Sequence, residues 1–312
     1  MRVIRGFRHL DLQLERPAVT IGNFDGVHLG HQEVMRRTAD GARQRSAEAV
    51  VCTFDPHTMA VLSDRPPAQL QTTEQRIAAI EAVGIDVAVV IPFDRQIAAV
   101  GKRRFVDEFL IAELDVGSLH VSQGFSFGRE RGGRAAYLEQ RAAAEGFGVE
   151  RVPPLVVGGQ PVSSTRVREL IGRGEIEAAA VLLGRPYSLA GKVVPGRGRG
   201  RLLAAPTANL KLGNVCTPRC GVYVAEVRLD GEIHQAVANV GNRPTFETSG
   251  ELVAEAHLLD FSEPIYDRDI ELALLRLLRE ERVFPDGTAL AVQIQDDVRA
   301  TRQYFETRSA TT

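Results

Sequence analysis

The spacing of apolar residues changes near Leu183, and this change constrains the fold more than any other feature of the sequence. Before Leu183, short apolar runs alternate with segments of helical periodicity, which is typical of an α/β domain with a parallel sheet covered by helices on both faces. After it, short strands between Gly and Pro turns predict an antiparallel β-barrel closed by a helix. We therefore expect two domains, residues 1–184 and 185–312.

The elements follow from these periodicities. In the first half, the predicted strands are Ala18–Gly22, Ala49–Phe54, Asp86–Ile91 and Leu119–Ser122, and the predicted helices are Glu33–Arg45, Thr73–Val83, Arg103–Leu114, Arg134–Glu145, Ser164–Gly172 and Glu175–Leu183. In the second half, the predicted strands are Tyr223–Leu229, Glu232–Val240, Leu252–Phe261 and Ile270–Leu277, followed by a helix over Thr288–Phe305. The Asp-Gly pair at 230–231 predicts a tight hairpin turn.

Composition excludes several classes of protein. The net charge of -2 disfavours a general nucleic-acid binder, which carries a large basic excess. The longest apolar run, Val87–Phe93, is too short to cross a bilayer. The 3 Cys residues fit neither a metal-binding pair nor a disulfide framework, so we expect a cytoplasmic protein.

The most specific string is AVTIGNFDGVHLGH, residues 18–31, which runs from a buried strand through a Gly-containing turn into a helix. His28 and His31 are three apart and share one face of the first helical turn. Unpaired N–H groups and the helix dipole attract phosphate there, and Gly30 lets a ligand approach closely. Two surface histidines at a helix start are the alternative, but the complete string favours phosphate chemistry.

A second string, VSSTRVR, covers residues 162–168. Ser163 or Ser164 could simply cap a helix. Together with the first string, it indicates a second helix start that grips the β- and γ-phosphates of a nucleotide, with Arg168 as a charge partner.

This pair of strings resembles the nucleotidyltransferase superfamily, in which an HxGH turn and a later Ser/Thr/Arg loop handle ATP. Further strings extend the resemblance: TFDPH (53–57), FSFG (125–128), LGRPY (183–187), GRGRGR (196–201), PTAN (206–209), GVY (221–223), ANVGNRPTF (238–246) and EAHLLDF (255–261). Together they resemble the bifunctional riboflavin kinase/FMN adenylyltransferases of bacteria over nearly the whole chain.

The resemblance implies that the first domain joins FMN to the AMP part of ATP and releases pyrophosphate, while the second phosphorylates riboflavin. It implies that His28 and His31 stabilise the transferring phosphate. The implied ATP-binding residues of this half are Gly22, Asn23, Phe24, Gly30, Ser164, Thr165 and Arg168. Phe125 and Asn239 are the implied flavin contacts.

In the second half, the resemblance implies that Thr207 and Asn209 hold Mg²⁺ with ATP and that Glu255 is the base toward the ribityl hydroxyl. A sugar hydroxyl is a poor nucleophile, so a nearby carboxylate helps. Neutral oxygens suit Mg²⁺. The alternatives are a Glu255 that points outward from a half-exposed strand and a PTAN string that is a plain turn.

The GRGRGR run would offer N–H groups of Gly196, Gly198 and Gly200, with its guanidiniums, to ATP phosphates. An RNA-binding segment is the alternative, but no aromatic residues are interleaved for base stacking. We expect riboflavin, FMN and ATP as partners, no nucleic acid or membrane, and self-association as an allowed state.

The family pattern is broken at three places. Gly124 replaces a polar residue thought to touch the flavin, Thr58 replaces a proline, and Ala204-Ala205 replaces Gly-Phe. The change at Gly124 leaves an alternative open, in which the kinase is the one fully active half. His57 could approach the nucleotide or stabilise its turn.

Overall fold

The computed structural model describes residues 1–194, 207–213, 215–242 and 252–310. The chain divides into two compact units, Met1–Ser164 and Thr165–Thr312. Among the described residues, no helix has the length and the apolar character needed to cross a membrane.

The first unit is built on a parallel sheet. Its strands are β1 (Arg2–Arg5), β2 (Ala18–Ile21), β3 (Ala49–Asp55), β4 (Val87–Pro92), β5 (Ser118–Ser122), β6 (Ser126–Phe127), β7 (Gly133–Arg134), β8 (Gly148–Val152), β9 (Val156–Val157) and β10 (Gln160–Pro161). Six of them pair in parallel in the order β1-β4-β3-β2-β5-β8, while β6–β7 and β9–β10 are small antiparallel pairs. The predicted parallel sheet is confirmed.

Helices cover both faces of this sheet. They are α1 (Leu29–Gln44), α2 (Thr58–Leu62), α3 (Thr73–Glu81), α4 (Arg95–Ala98), α5 (Lys102–Arg104) and α6 (Ala135–Glu145). Because strand side chains alternate between faces, Val19 and Ile21 enter one core with Phe109, while Ala18 enters another with Met35 of α1.

The helix predicted over Arg103–Leu114 is present, and most of it is of the π type. Helix α5 leads directly into a π-helix over Phe105–Glu113. Its buried residues recur at spacings of four, as in Phe105 and Phe109. In a π-helix each N–H bonds the carbonyl five residues back, which makes the turn wider than that of an α-helix.

The second unit contains the predicted barrel. Helices α7 (Ser164–Arg173) and α8 (Ile176–Leu183) precede it, and α9 (Gly287–Ser309) follows it. Its strands are β11 (Tyr187–Val194), β12 (Thr207–Lys211), β13 (Gly221–Leu229), β14 (Glu232–Asn242), β15 (Leu252–Leu258) and β16 (Asp269–Glu280). They close in the order β11-β12-β15-β14-β13-β16, and every neighbouring pair is antiparallel. The predicted hairpin turn has positive φ at Asp230 and Gly231.

Helix α9 is fixed to the barrel by a buried ion pair and an aromatic contact. The Arg279 guanidinium at the end of β16 donates to both carboxylate oxygens of Asp297, at 2.8 and 2.9 Å. About two helical turns further along, Phe305 packs against Val224 and Leu275 of the barrel wall. The predicted helix that closes the barrel is therefore present.

Candidate active sites

The turn after β2 has an unusual backbone. Phe24 and Val27 are buried residues with φ of 49° and 38°, and Gly26 between them has φ of 87°. Left-handed φ values are costly for residues with a Cβ and cluster at functional sites. A Cβ on Gly22 would lie 3.1 Å from the Phe24 ring, so the glycine makes room for that ring.

His28 begins helix α1 as its N-cap. It has extended backbone angles, and its Nδ1 accepts a hydrogen bond from the His31 N–H at 3.3 Å. The two rings are stacked with their centroids 3.6 Å apart. His28 thus lies just before the first helical turn, and the cap brings the two imidazoles into contact.

His31 is held in an apolar contact that affects its charge. Its ring meets the Phe24 ring edge to face, with centroids 5.2 Å apart, and its Nδ1 is buried with no hydrogen-bond partner among the described residues. Burial, and secondarily the neighbouring His28, lower the pKa of His31 well below its usual value of 6.5. The imidazole is neutral at pH 7.

The pKa of His31 should respond to a polyphosphate. An anion beside the ring favours the charged form, so we expect nucleoside triphosphate to raise the pKa of His31 and to bind more tightly as pH falls through that raised pKa. Proton NMR titration of the His31 ring with and without ATP measures this. An unchanged pKa of His31 at saturating ATP would contradict phosphate binding at this ring.

Asn23 is half-buried in the same turn, and its side chain bonds Thr58. The Asn23 Nδ2 donates to the Thr58 Oγ1 at 3.0 Å, and the Thr58 N–H donates to the Asn23 Oδ1 at 3.2 Å. His57 accepts a hydrogen bond from the Met59 N–H at 3.2 Å, so it caps the short helix α2. This capping bond corresponds to the turn-stabilising role of His57.

Ser164, the last residue of the first unit, lies beside the turn after β2. The Ser164 hydroxyl donates to the Asp25 carbonyl at 2.9 Å. A Cβ on Gly30 would lie 3.5 Å from the Val162 carbonyl and 3.3 Å from the His28 ring. The structure therefore brings Ser164 next to the turn that carries His28. Further along α7, Thr165 is exposed and Arg168 is half-buried.

Phe125 lies in the segment between β5 and β6. Its ring stacks on that of Phe127 with centroids 5.7 Å apart. A Cβ on the preceding Gly124 would meet nothing within 4 Å, so this position has room for a side chain.

In the barrel, Asn209, Glu255 and Asn239 lie side by side on three neighbouring strands. Glu255 of β15 pairs directly with Asn209 of β12 and with Asn239 of β14. Directly opposed residues share one face of a sheet. They alternate with fully buried residues such as Ala254 and Ala256, so all three lie on the outer face of the barrel.

The surroundings of these residues are polar and partly closed. Asn209 is only 2% exposed, and its Oδ1 has no hydrogen-bond partner among the described residues. A buried acceptor without a donor is costly, so this oxygen is suited to accept a contact from a cation or a donor group. Thr207 lies two residues earlier on β12, which is a strand and not the plain turn that its composition allows.

Glu281 was not indicated by the sequence. Asn239 donates from Nδ2 to the Glu281 Oε1 at 3.4 Å, and a Cβ on Gly241 would collide with the same carboxylate. Glu281 follows β16 in a run of mixed charges, which is typical of a solvated surface, so no local signal singled it out. Gly196, Gly198, Gly200 and the Ala204-Ala205 pair lie outside the described residues.

Comparisons with known proteins cover both halves. The family model of FAD synthetase matches residues 11–166, and that of riboflavin kinase matches residues 183–305. A bifunctional riboflavin kinase/FMN adenylyltransferase of Haemophilus influenzae is 36% identical, covering 98% of this chain and 99% of the relative. One from Escherichia coli is 33% identical, covering 98% of each.

A solved structure has the same fold across the full length. It is a chain from Streptococcus pneumoniae described as a macrolide-efflux protein. It superimposes with a TM-score of 0.86 at 28% identity and covers 97% of this chain and 99% of its own length.

Proposed function

The chain belongs to the bifunctional riboflavin kinase/FMN adenylyltransferase family, and from this premise we propose which of its residues act in each of two successive reactions. The protein is a transferase that phosphorylates riboflavin to FMN with ATP and then adenylylates FMN to FAD. The observation that carries this function is that both halves match, each to its own family model. The alternative of a kinase alone is not favoured, because the relatives named for both activities match over the full length.

Residues 1–184 are the proposed adenylyltransferase domain and residues 185–312 the proposed kinase domain. Helix α8 ends at Leu183, and the left-handed residue Gly184 caps it. The first barrel strand begins soon afterwards at Tyr187. These bounds support a boundary after Gly184.

In the adenylyltransferase domain, a phosphate oxygen of FMN attacks the α-phosphorus of ATP, and pyrophosphate leaves as the bond to the bridging oxygen breaks. His28 and His31 stabilise the negative charge that develops on the phosphate oxygens. The stacked imidazoles at the start of α1 support this role, because N–H groups and the positive end of the helix dipole meet there. Gly22, Asn23, Phe24 and Gly30 line the nucleotide site.

Ser164, Thr165 and Arg168 hold the β- and γ-phosphates in this proposal. The bond from Ser164 to the Asp25 carbonyl supports it, because Ser164 then lies beside the turn that carries the histidines. Phe125 contacts the flavin of FMN. Its half-buried ring offers an aromatic face for stacking.

In the kinase domain, Glu255 accepts the proton of the terminal ribityl hydroxyl while that oxygen attacks the γ-phosphorus of ATP and ADP leaves. Asn239, its neighbour on β14, contacts the flavin substrate. Gly196, Gly198 and Gly200 bind the ATP phosphates.

Thr207 and Asn209 hold Mg²⁺ in this proposal. The buried Asn209 Oδ1 without a partner among the described residues fits a metal ligand, and neutral oxygens suit this ion. Bound Mg²⁺ supplies positive charge that offsets the charge of the ATP phosphates.

The protein is proposed to act in the cytoplasm on riboflavin, FMN and ATP, without nucleic acid or membrane. The three cysteines Cys52, Cys216 and Cys220 are free thiols, which supports a reducing compartment. Self-association stays a prediction.

A product assay tests the function. The protein is incubated with riboflavin, ATP and Mg²⁺, and the flavins are separated by chromatography. We expect FMN to appear first and FAD to follow. FMN without FAD would contradict the adenylyltransferase assignment, and neither product would contradict both.

A further inference from the structure

Asn23 is held by two separate groups of contacts, one on its backbone and one on its side chain. Its carbonyl accepts hydrogen bonds from the Thr53 Oγ1 at 3.1 Å and from the Arg76 Nη1 at 3.0 Å. Its side-chain amide makes the two-way pair with Thr58. The backbone contacts come from β3 and α3, whereas the side-chain contacts come from the start of α2.

Arg76 anchors the backbone from inside the fold. It is 3% exposed, and its Nη2 donates to the Phe54 carbonyl at 2.9 Å and to the Thr73 Oγ1 at 3.1 Å. One guanidinium therefore joins the turn after β2 to the end of β3. The position of the Asn23 backbone does not depend on Thr58.

The pair with Thr58 fixes the direction of the Asn23 amide. A backbone N–H can only donate, so the amide oxygen must face the Thr58 N–H and the amide nitrogen must face the hydroxyl. This arrangement uses one Nδ2 hydrogen and one lone pair of Oδ1. One donor and one acceptor position of Asn23 are left to meet a substrate.

We propose that Thr58 is a positioning residue for adenylyl transfer, which acts by orienting the Asn23 amide in the nucleotide site. The inference rests on the proposed function of the first domain. Since Arg76 and Thr53 hold the backbone, loss of the Thr58 hydroxyl changes the side-chain orientation while the turn stays in place.

Thr58→Val removes the hydroxyl and keeps the branched shape and the N–H. One neutral hydrogen bond corresponds to a loss of about threefold to tenfold in kcat/KM for FAD formation from FMN and ATP. Thr58→Ser keeps the hydroxyl and should restore the rate. The matched control is Thr38→Val, whose lost hydroxyl donates to the Val34 carbonyl in α1.

A double-mutant cycle with Asn23→Ala separates orientation from general support of the loop. In the Asn23→Ala background, Thr58→Val should cause no further loss of FAD formation. FMN formation from riboflavin should be unchanged in all variants, and the melting temperature of Thr58→Val should stay close to that of the parent protein.

The same experiment distinguishes failure of the positioning role of Thr58 from failure of the proposed adenylyltransferase function. If Thr58→Val makes FAD at the parent rate, or loses as much in the Asn23→Ala background as alone, the positioning role is wrong. If FMN formation falls equally, the effect is on folding and the role is also wrong. A parent protein that makes no FAD from FMN would instead refute the proposed adenylyltransferase.

Discussion

His31→Ala should lower the rate of FAD formation by about 10²–10³-fold, comparable to the loss of one preorganised donor at the transferring phosphate. FMN formation should stay near the parent rate, because the barrel carries that reaction. The physical basis is the ring stacked on His28 and packed edge to face on Phe24, which is positioned before any substrate arrives. Rates are measured separately, with FMN and ATP for the first reaction and with riboflavin and ATP for the second.

His234→Ala is the control for His31→Ala. His234 lies on β14 and its ring contacts Phe261, so its loss should leave FAD formation unchanged. Equal loss of both activities in His31→Ala would argue against separate sites. Loss confined to FMN formation would reverse the assignment of the two halves.

Glu255→Gln should lower FMN formation by about 10²–10⁴-fold, the usual contribution of a general base. Glutamine keeps the size of the side chain and one acceptor oxygen but cannot accept the proton. FMN supplied directly should still be converted to FAD at the parent rate. Steady-state rates with riboflavin and with FMN, measured on the same preparation, give both numbers.

Glu281→Gln is the matched control for Glu255→Gln, because Glu281 is a second carboxylate near Asn239. Glu281 contacts Asn239 at 3.4 Å, but it is Glu255 that pairs with Asn209 across the strands. Neutralising Glu281 should therefore lower the rate of FMN formation by less than about tenfold. If Glu281→Gln loses more FMN formation than Glu255→Gln, the base assignment belongs to Glu281.

The sequence predicts those strands and turns whose pattern of apolar and turn residues lies within one short segment of the chain. The runs at Ala18–Ile21 and Val87–Ile91 are apolar and bounded by turn residues, and they lie in the sheet as expected. The hairpin turn at Asp230 and Gly231 was predicted because an Asp-Gly pair tolerates positive φ, and both residues have positive φ in the structure. Strand β1 was missed, because its edge position leaves Arg2 and Arg5 exposed and hides the apolar alternation.

The side-chain contacts within the two candidate active sites could not be predicted from the sequence in this way. The sequence places His28 and His31 three apart, but it does not show that His28 is the cap or that the rings stack. The contact between Asn23 and Thr58 joins two loops 35 residues apart in the chain. Glu255 meets Asn209 only through strand register, which depends on how the whole barrel closes.

The register of the barrel limits how the length of this protein can vary in evolution. Asn209, Glu255 and Asn239 face the same side because their strands pair without offset at these positions. Inserting or deleting one residue within β12, β14 or β15 would turn one of the three toward the packed interior. Natural variants should therefore accumulate gaps between these strands, while inside them only replacements survive.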